Sequence, residues 1–236
     1  MSRFTVAIDG PAGSGKSSVS KAVAKKLGWG YLDTGAAYRA LTWAELNGQV
    51  PQVESLDSQQ LEKLFAYSIS TNPNDYWVRV GSTDVTQQIR TTQVAESVSQ
   101  IARLPQVRQY MLGLTRELAD ACSNPGVVVE GRDITTVVLP NANVRLLLTA
   151  SEEVRLSRRS AELDSADAQQ VARQVSQRDA SDAKVVDFMT PADGVLLVDS
   201  TNLNFDQTVD AVVAIIAKAI EKDSLWLSTT TLRPSQ

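Results

Sequence analysis

Apolar positions along the chain keep two alternating rhythms. Short runs at Phe4–Ile8, Gly30–Leu32, Val127–Val129, Val144–Leu148 and Val195–Val198 are bounded by polar or turn residues and predict buried strands. Between them, apolar residues recur three and four apart. Val19, Ala22, Val23 and Leu27 form one such stripe, and Gly28 supplies its stop. Similar stripes predict helices over Ala36–Leu46, Ser58–Tyr67, Thr91–Arg103, Gln106–Ala121 and Phe205–Ile220. Ser151 predicts the cap of a further helix, with Glu152 and Glu153 in its first turn. Strand alternating with helix predicts an α/β fold, with a parallel sheet of about five strands covered on both faces.

Two stretches break this rhythm. Ser68–Ser70, a turn at Asn72-Pro73-Asn74-Asp75, and Tyr76–Gly81 predict an antiparallel hairpin, with Asp84–Thr86 as a third strand. This β-rich piece, about residues 60–90 by its composition shift, reads as an insertion. Ser157–Lys184 is polar with a helical pattern, and Arg155, Arg158, Arg159, Arg173 and Arg178 lie in or beside it. After Asp223 the chain turns Ser/Thr-rich, and 224–236 reads as a flexible tail.

The first strand runs directly into Gly10-Pro11-Ala12-Gly13-Ser14-Gly15-Lys16-Ser17, which satisfies the phosphate-loop pattern G-x-x-x-x-G-K-[ST]. Its place between a strand and a helix is the one its chemistry requires. Glycines let backbone N–H groups close around phosphate oxygens, and the helix N-terminus adds its positive end. Lys16 reaches the β- and γ-phosphates, and the Ser17 hydroxyl binds Mg²⁺.

Composition narrows the chemistry. The 236 residues suffice for one full core. The net charge of −4 argues against a general nucleic-acid face. Histidine is absent, which removes Ser-His-Asp triads, HExxH zinc sites and histidine bases together. Cys122 is the one cysteine, so no internal disulfide forms. No apolar run approaches the ~20 residues of a membrane span. With a strand beginning at Phe4, no signal peptide is expected, and the expected location is cytoplasmic.

In an open parallel sheet, ligands lie at the carboxyl ends of the strands. Those ends carry Asp9, Asp33, Glu130–Asp133 and Asp199–Thr201. A GTP switch carries an N/T-K-x-D string, and no lysine here follows Asn or Thr. A mechanical ATPase carries a strand ending in Asp-Glu, where this chain has Glu130-Gly131-Arg132-Asp133. A small-molecule kinase instead needs several arginines converging on the phosphates, and the arginines scattered at the strand ends and in the polar helical segment fit that need. A nucleotide kinase, a kinase for a metabolite such as shikimate or gluconate, and a non-enzymatic nucleotide switch remain open at this point.

IDGPAGSGKSS at 8–18, LDTGAAYRA at 32–40, QIRTTQVAESVSQIARLPQVR at 88–108, EGRDITTVVLP at 130–140 and QRDASD at 177–182 together resemble the bacterial cytidylate kinases, a branch of the nucleoside-monophosphate kinases. The resemblance covers Thr5 to about Ala217. It implies a three-layer P-loop NTPase fold in one kinase domain over 1–223: core at 1–59, 91–150 and 190–223, an inserted monophosphate-binding subdomain at about 60–90, and a helical lid at about 151–189. It implies phosphoryl transfer from Mg-ATP to CMP or dCMP. A monomer is expected, and charge and hydropathy lead to the expectation of no nucleic-acid or membrane partner.

Site residues follow from the same resemblance. Gly10 through Ser18 (Gly10, Pro11, Ala12, Gly13, Ser14, Gly15, Lys16, Ser17 and Ser18) bind ATP. Thr34 and Arg39 lie on the monophosphate side, with Arg39 on the CMP phosphate and Arg132 as a second phosphate arginine. Ser99, Arg108 and Asp133 read cytosine, while Arg178 and Asp182 hold the ribose. Lys16, Arg132, Arg155 and Arg159 serve transfer, the last two from the lid. Ser17 holds Mg²⁺, with Asp33 acting through water. Cytosine's exocyclic amine donates, so a carboxylate such as Asp133 suits it, whereas uracil presents a carbonyl there. One departure stands out. Many relatives carry a further phosphate arginine beyond the position of Asp182, where this chain has Ala183-Lys184-Val185-Val186 and is one residue shorter. Lys184 offers a point charge in its place.

Overall fold

The computed structural model describes residues 3–163, 176, 179, 180, 182, 183 and 186–230, with backbone only for 162, 163 and 223–230. Its centre is a five-stranded parallel sheet built from β1 (Phe4–Asp9), β2 (Gly30–Asp33), β6 (Gly126–Gly131), β7 (Val144–Thr149) and β8 (Leu196–Asp199). The order across the sheet is β2-β6-β1-β7-β8, so the strand bearing the phosphate loop lies in the middle.

Alternate side chains of these strands serve opposite faces. Val6, Ile8, Val128, Leu146 and Leu148 face one helical layer, with Val19 and Val23 of α1 (Lys16–Leu27) and Val212 and Ile216 of the C-terminal helix. Ala7, Leu32, Val127 and Val129 face the other layer. There they meet α2 (Thr34–Leu46), α4 (Thr92–Ala102) and α5 (Pro105–Ala121). Burial on both faces explains why these strands read as unbroken apolar runs. The helix α2 presents Ala36, Ala37, Ala40 and Ala44 to the core, and their small side chains let it lie close to the sheet.

A second, antiparallel sheet joins β3 (Tyr67–Ile69), β4 (Val78–Val80) and β5 (Thr83–Asp84). Its inner residues Ile69, Val78 and Val80 merge with Leu61 of α3 (Ser58–Leu64) and Leu41 of α2 in one apolar cluster. The insertion is therefore seated on the core. The backbone N–H of Tyr31 in β2 donates to Thr71 O in the β3–β4 loop at 2.9 Å, which adds a polar tie.

Most element boundaries lie within one or two residues of the sequence expectation, and three differences have a clear physical cause or change the picture. The helix starting at Ser58 stops at Leu64 instead of Tyr67, because Tyr67 pairs with Val80 in the small sheet. The third strand lies at Thr83–Asp84, since Val85 turns its side chain into the core and its N–H onto Val78 O at 2.8 Å. After α6 (Glu152–Leu163), the last helix, α7 (Phe205–Thr230), continues past Ile220, so residues 224–230 of the expected loose tail are helical. Residues 231–236 lie outside the described residues, as do Arg173, Arg178 and Lys184.

Parallel register brings the carboxyl ends of the strands to one edge. Asp9 aligns with Gly131, Asp33 with Glu130, and Thr149 with Asp199. Along this edge the phosphate loop, the start of α2 and the turn after β6 border a single crevice.

Candidate active site

The phosphate loop fills residues 10–17 between β1 and α1. Gly13 and Gly15 hold φ of 74° and 81°, conformations that side chains disfavour. A Cβ on Gly13 would also lie 2.4 Å from the carbonyl oxygen of Arg155, so glycine is required there twice over. The first turn of α1 begins at Lys16 and leaves its N–H groups toward the crevice. Ala12, Gly13, Gly15, Lys16, Ser17 and Ser18 line one wall of a cavity of about 590 Å³. Gly10, Pro11 and Ser14 lie behind that wall, where Ser14 N–H donates to Pro11 O at 3.3 Å and shapes the turn.

Beneath the loop lies a buried acidic pair. Ser17 Oγ donates to Glu130 Oε1 at 2.7 Å. Burial, then the neighbouring Asp33, pushes the Glu130 carboxyl up to about 7, although Lys16 and the Ser17 hydrogen bond pull the other way. Burial also acts against the Asp33 charge, but Arg90 outweighs it and holds Asp33 below the ordinary carboxylate value. Arg90 Nη2 reaches Asp33 Oδ2 at 2.7 Å, Tyr76 Oη donates to the same oxygen at 3.5 Å, and Ala36 N–H donates to Oδ1 at 3.1 Å. Arg90 therefore favours the charged form of Asp33, while burial and the nearby Asp33 favour the neutral form of Glu130.

The opposite wall comes from elements far apart in sequence. Arg39 of α2 is 6% exposed, lines the cavity and donates to Ile89 O at 3.2 Å. Thr34 lines it too, with its hydroxyl donating to Glu130 O at 2.9 Å. Ser99 of α4, Arg108 of α5 and Asp133 after β6 converge on this wall. Arg108 Nη2 donates to Asp133 Oδ2 at 2.6 Å, so two of the three expected base readers form an ion pair.

Arg132 links the two sides. It donates through Nε to Asp182 Oδ2 at 3.0 Å, and its Nη2 lies 3.3 Å from Asp179 Oδ1. Nη1 donates to the carbonyl of Gly10, and the guanidinium lies over the Phe188 ring at 4.6 Å. Asp182 thus sits on the cavity beside Arg132. Arg159 also lines the cavity.

Arg155 differs from the expectation for it. It is buried and does not line the cavity. Its Nη1 donates to Ala12 O at 2.9 Å and Asp179 Oδ2 at 2.7 Å, so it supports the phosphate loop from behind. The neighbouring Arg158 braces the loop similarly, reaching Ser14 O at 3.4 Å and Ser200 O at 2.9 Å. Sequence reasoning passed over Arg90, Asp179, Glu130 as a side chain, and Tyr38, whose phenol is pushed up by burial and then by Asp133. A signal existed for Asp179, which lies three residues before Asp182 and so shares its face on a helical turn. Glu130 is the second-last residue of a fully buried, otherwise apolar strand, where a carboxyl has no packing role.

A phosphate loop on the central strand, facing an arginine-lined crevice, defines a P-loop phosphotransferase. The family model described as cytidylate kinase matches residues 6–218. A cytidylate kinase of Streptomyces avermitilis is 42% identical over 212 residues, spanning 89% of this chain and 91% of the relative. One of Cutibacterium acnes is also 42% identical, over 91% of this chain and 96% of its own. A solved structure of an uncharacterized protein from Eubacterium ventriosum shares the fold at TM-score 0.51 and 11% identity, covering 91% of this chain and 99% of that one. The chain belongs to the cytidylate kinase family.

Proposed function

We propose that this protein transfers the γ-phosphoryl group of ATP to CMP or dCMP, giving ADP and CDP or dCDP. One observation carries the choice of acceptor: Ser99, Arg108 and Asp133, from three separate elements, meet on the wall facing the phosphate loop. In this reading the Asp133 carboxylate accepts from the cytosine amine, and Arg108 holds that carboxylate in place. Arg39, Arg90 and Arg132 meet the acceptor phosphate, while Arg178 and Asp182 hold the ribose. A phosphate oxygen of CMP attacks the γ-phosphorus, and the bond from that phosphorus to the β–γ bridging oxygen breaks. ADP leaves carrying that oxygen. The acceptor phosphate is already a nucleophile, so the residues align it, neutralise charge and exclude water. Lys16 follows the charge that moves toward the β-phosphate, and Arg159 covers the donor from the lid. Arg155 acts indirectly, by holding Ala12 and Asp179.

The donor set at the base of the cavity suits Mg²⁺. Ser17 Oγ lies 2.7 Å from Glu130 Oε1, and Asp33 is the partner of Glu130 across β2 and β6, so all three offer oxygen ligands on one side of the cavity. Mg²⁺ in such sites is held largely by phosphate oxygens and water, with one or two protein oxygens. Ser17 would bind it directly, and Asp33 and Glu130 through water. When bound, the ion neutralises charge on the β- and γ-phosphate oxygens. A monomer is part of the same reading. No described helix is long and apolar enough to cross a membrane, and a cytoplasmic enzyme is part of the same reading.

The test is ADP release from Mg-ATP against CMP, dCMP, UMP, AMP, dTMP, GMP and shikimate. The expected result is strong turnover with CMP and dCMP and little with the others. Turnover confined to UMP or AMP would overturn the base-reading assignment. Tight ATP binding without turnover on any acceptor would overturn the kinase itself.

A further inference from the structure

Asp133 sits at the N-cap position of a π-helical turn, Ile134–Val138. At such a position an aspartate side chain ordinarily folds back onto the first free N–H groups of its own turn. Here it does not, and Asp133 makes no capping bond. Its carboxylate reaches Arg108 on the cavity wall instead. The free N–H groups are taken by another residue. Ile134 N–H donates to Asp9 Oδ1 at 2.8 Å, Thr135 N–H to Asp9 Oδ2 at 2.8 Å, and the Thr135 hydroxyl to Oδ2 at 2.6 Å. Asp9 is the last residue of β1 and is 3% exposed.

We infer that Asp9 is a positioning residue: by capping the turn from the neighbouring strand, it frees the Asp133 carboxylate to point into the acceptor pocket. The inference rests on the proposed role of Asp133. It adds a link from the strand that leads into the donor loop to the group that reads the acceptor base.

The two ends of this link are unequally held. The donor loop has other supports, since β1 is paired on both sides and Asp179, Arg155 and Arg158 all bond the loop backbone. The start of the turn relies on Asp9, with Arg145 Nη1 to Thr135 O at 3.1 Å beside it. Weakening Asp9 therefore acts on the acceptor side. An asparagine there must set its NH₂ against one of the donors, leaving an N–H unpaired in a buried site. Asp133, at the N-cap of the same turn, is placed to take over that bond, and would then turn out of the pocket.

Steady-state kinetics on Asp9→Asn test this. The Michaelis constant for CMP should rise about tenfold, as expected for a displaced positioning group. The preference for CMP over UMP should narrow, and the Michaelis constant for ATP should move by less than about threefold. A purely structural role would lower the melting temperature without that split. Thr135→Val, which removes only the hydroxyl bond, should act in the same direction more weakly, and it decides the matter if Asp9→Asn does not fold. Asp133→Ala runs in parallel. If Asp133→Ala weakens CMP and the Asp9 and Thr135 variants do not, the inference is wrong while the base-reading role stands. If Asp133→Ala leaves CMP untouched, the base-reading role fails and the inference fails with it. Equal rises for ATP and CMP in Asp9→Asn would also overturn it.

Discussion

Replacing Asp133 with Asn changes one oxygen to an NH₂ and probes how the acceptor base is recognised. In the native site the carboxylate accepts only, so a uracil carbonyl facing it leaves two acceptors opposed. An unmade hydrogen bond at a largely buried polar group costs about 1–3 kcal/mol. Asp133 is 14% exposed and Arg108 25%, so solvent relieves only part of that penalty. Taken into transition-state discrimination, the range is about 5- to 150-fold in kcat/KM for CMP over UMP. Asparagine can flip, accepting from cytosine or donating to uracil, so the variant should lose most of this factor. It also loses the charge opposite Arg108, and stability should fall by about 1–3 kcal/mol. The assay is coupled ADP release with CMP and UMP as variable acceptors, beside a urea unfolding curve to separate folding from recognition. A folded variant with an unchanged CMP-to-UMP ratio would refute the reasoning and move base recognition away from Asp133.

Other substitutions probe other parts of the crevice. Lys16→Ala should lower kcat at least about a hundredfold, the scale of losing one preorganised charge donor, with an unchanged circular dichroism spectrum. Gly13→Ala adds a methyl 2.4 Å from the Arg155 carbonyl at a φ of 74°. It should cost about 1–2 kcal/mol or more and lower the melting temperature by at least about 2–8 °C, as calorimetry would record. Arg90→Met leaves Asp33 buried without its guanidinium. Because the Arg90 side chain is 46% exposed, the loss should stay near about 1–3 kcal/mol in urea unfolding instead of the larger value for a fully buried pair. Chelation with EDTA should stop turnover, and added Mg²⁺ should restore it, with ADP release as the readout.

Much of the architecture was legible because its signals are local. The phosphate loop is eight contiguous residues whose spacing carries its own geometry. The core strands show as short apolar runs, since parallel strands are buried on both faces. Their polar ends point to the crevice before any tertiary information is used. What stayed hidden depends on contacts between distant segments. Arg90 meets Asp33 across 57 positions, and Asp9 meets Thr135 across 126. No periodicity encodes either pairing. Arg155 illustrates a different limit. An arginine in a polar helix next to the donor site reads as a lid group, yet its first-turn position in α6 points it under Ala12. The strand at Tyr67 was hidden by Leu61, Leu64 and Phe65, whose spacing extends the helical pattern until pairing with Val80 ends it.

The central claim is that the phosphoryl group leaves ATP and arrives on the phosphate of a cytosine nucleotide. Phosphorus-31 NMR of the enzyme with Mg-ATP and CMP follows both ends of that transfer in one spectrum. The account predicts that the CMP singlet and the three ATP signals decline together while the paired doublets of ADP and CDP grow in equal amounts. ADP growing beside inorganic phosphate, with the CMP signal unchanged, would contradict it and leave a nucleotide hydrolase in its place.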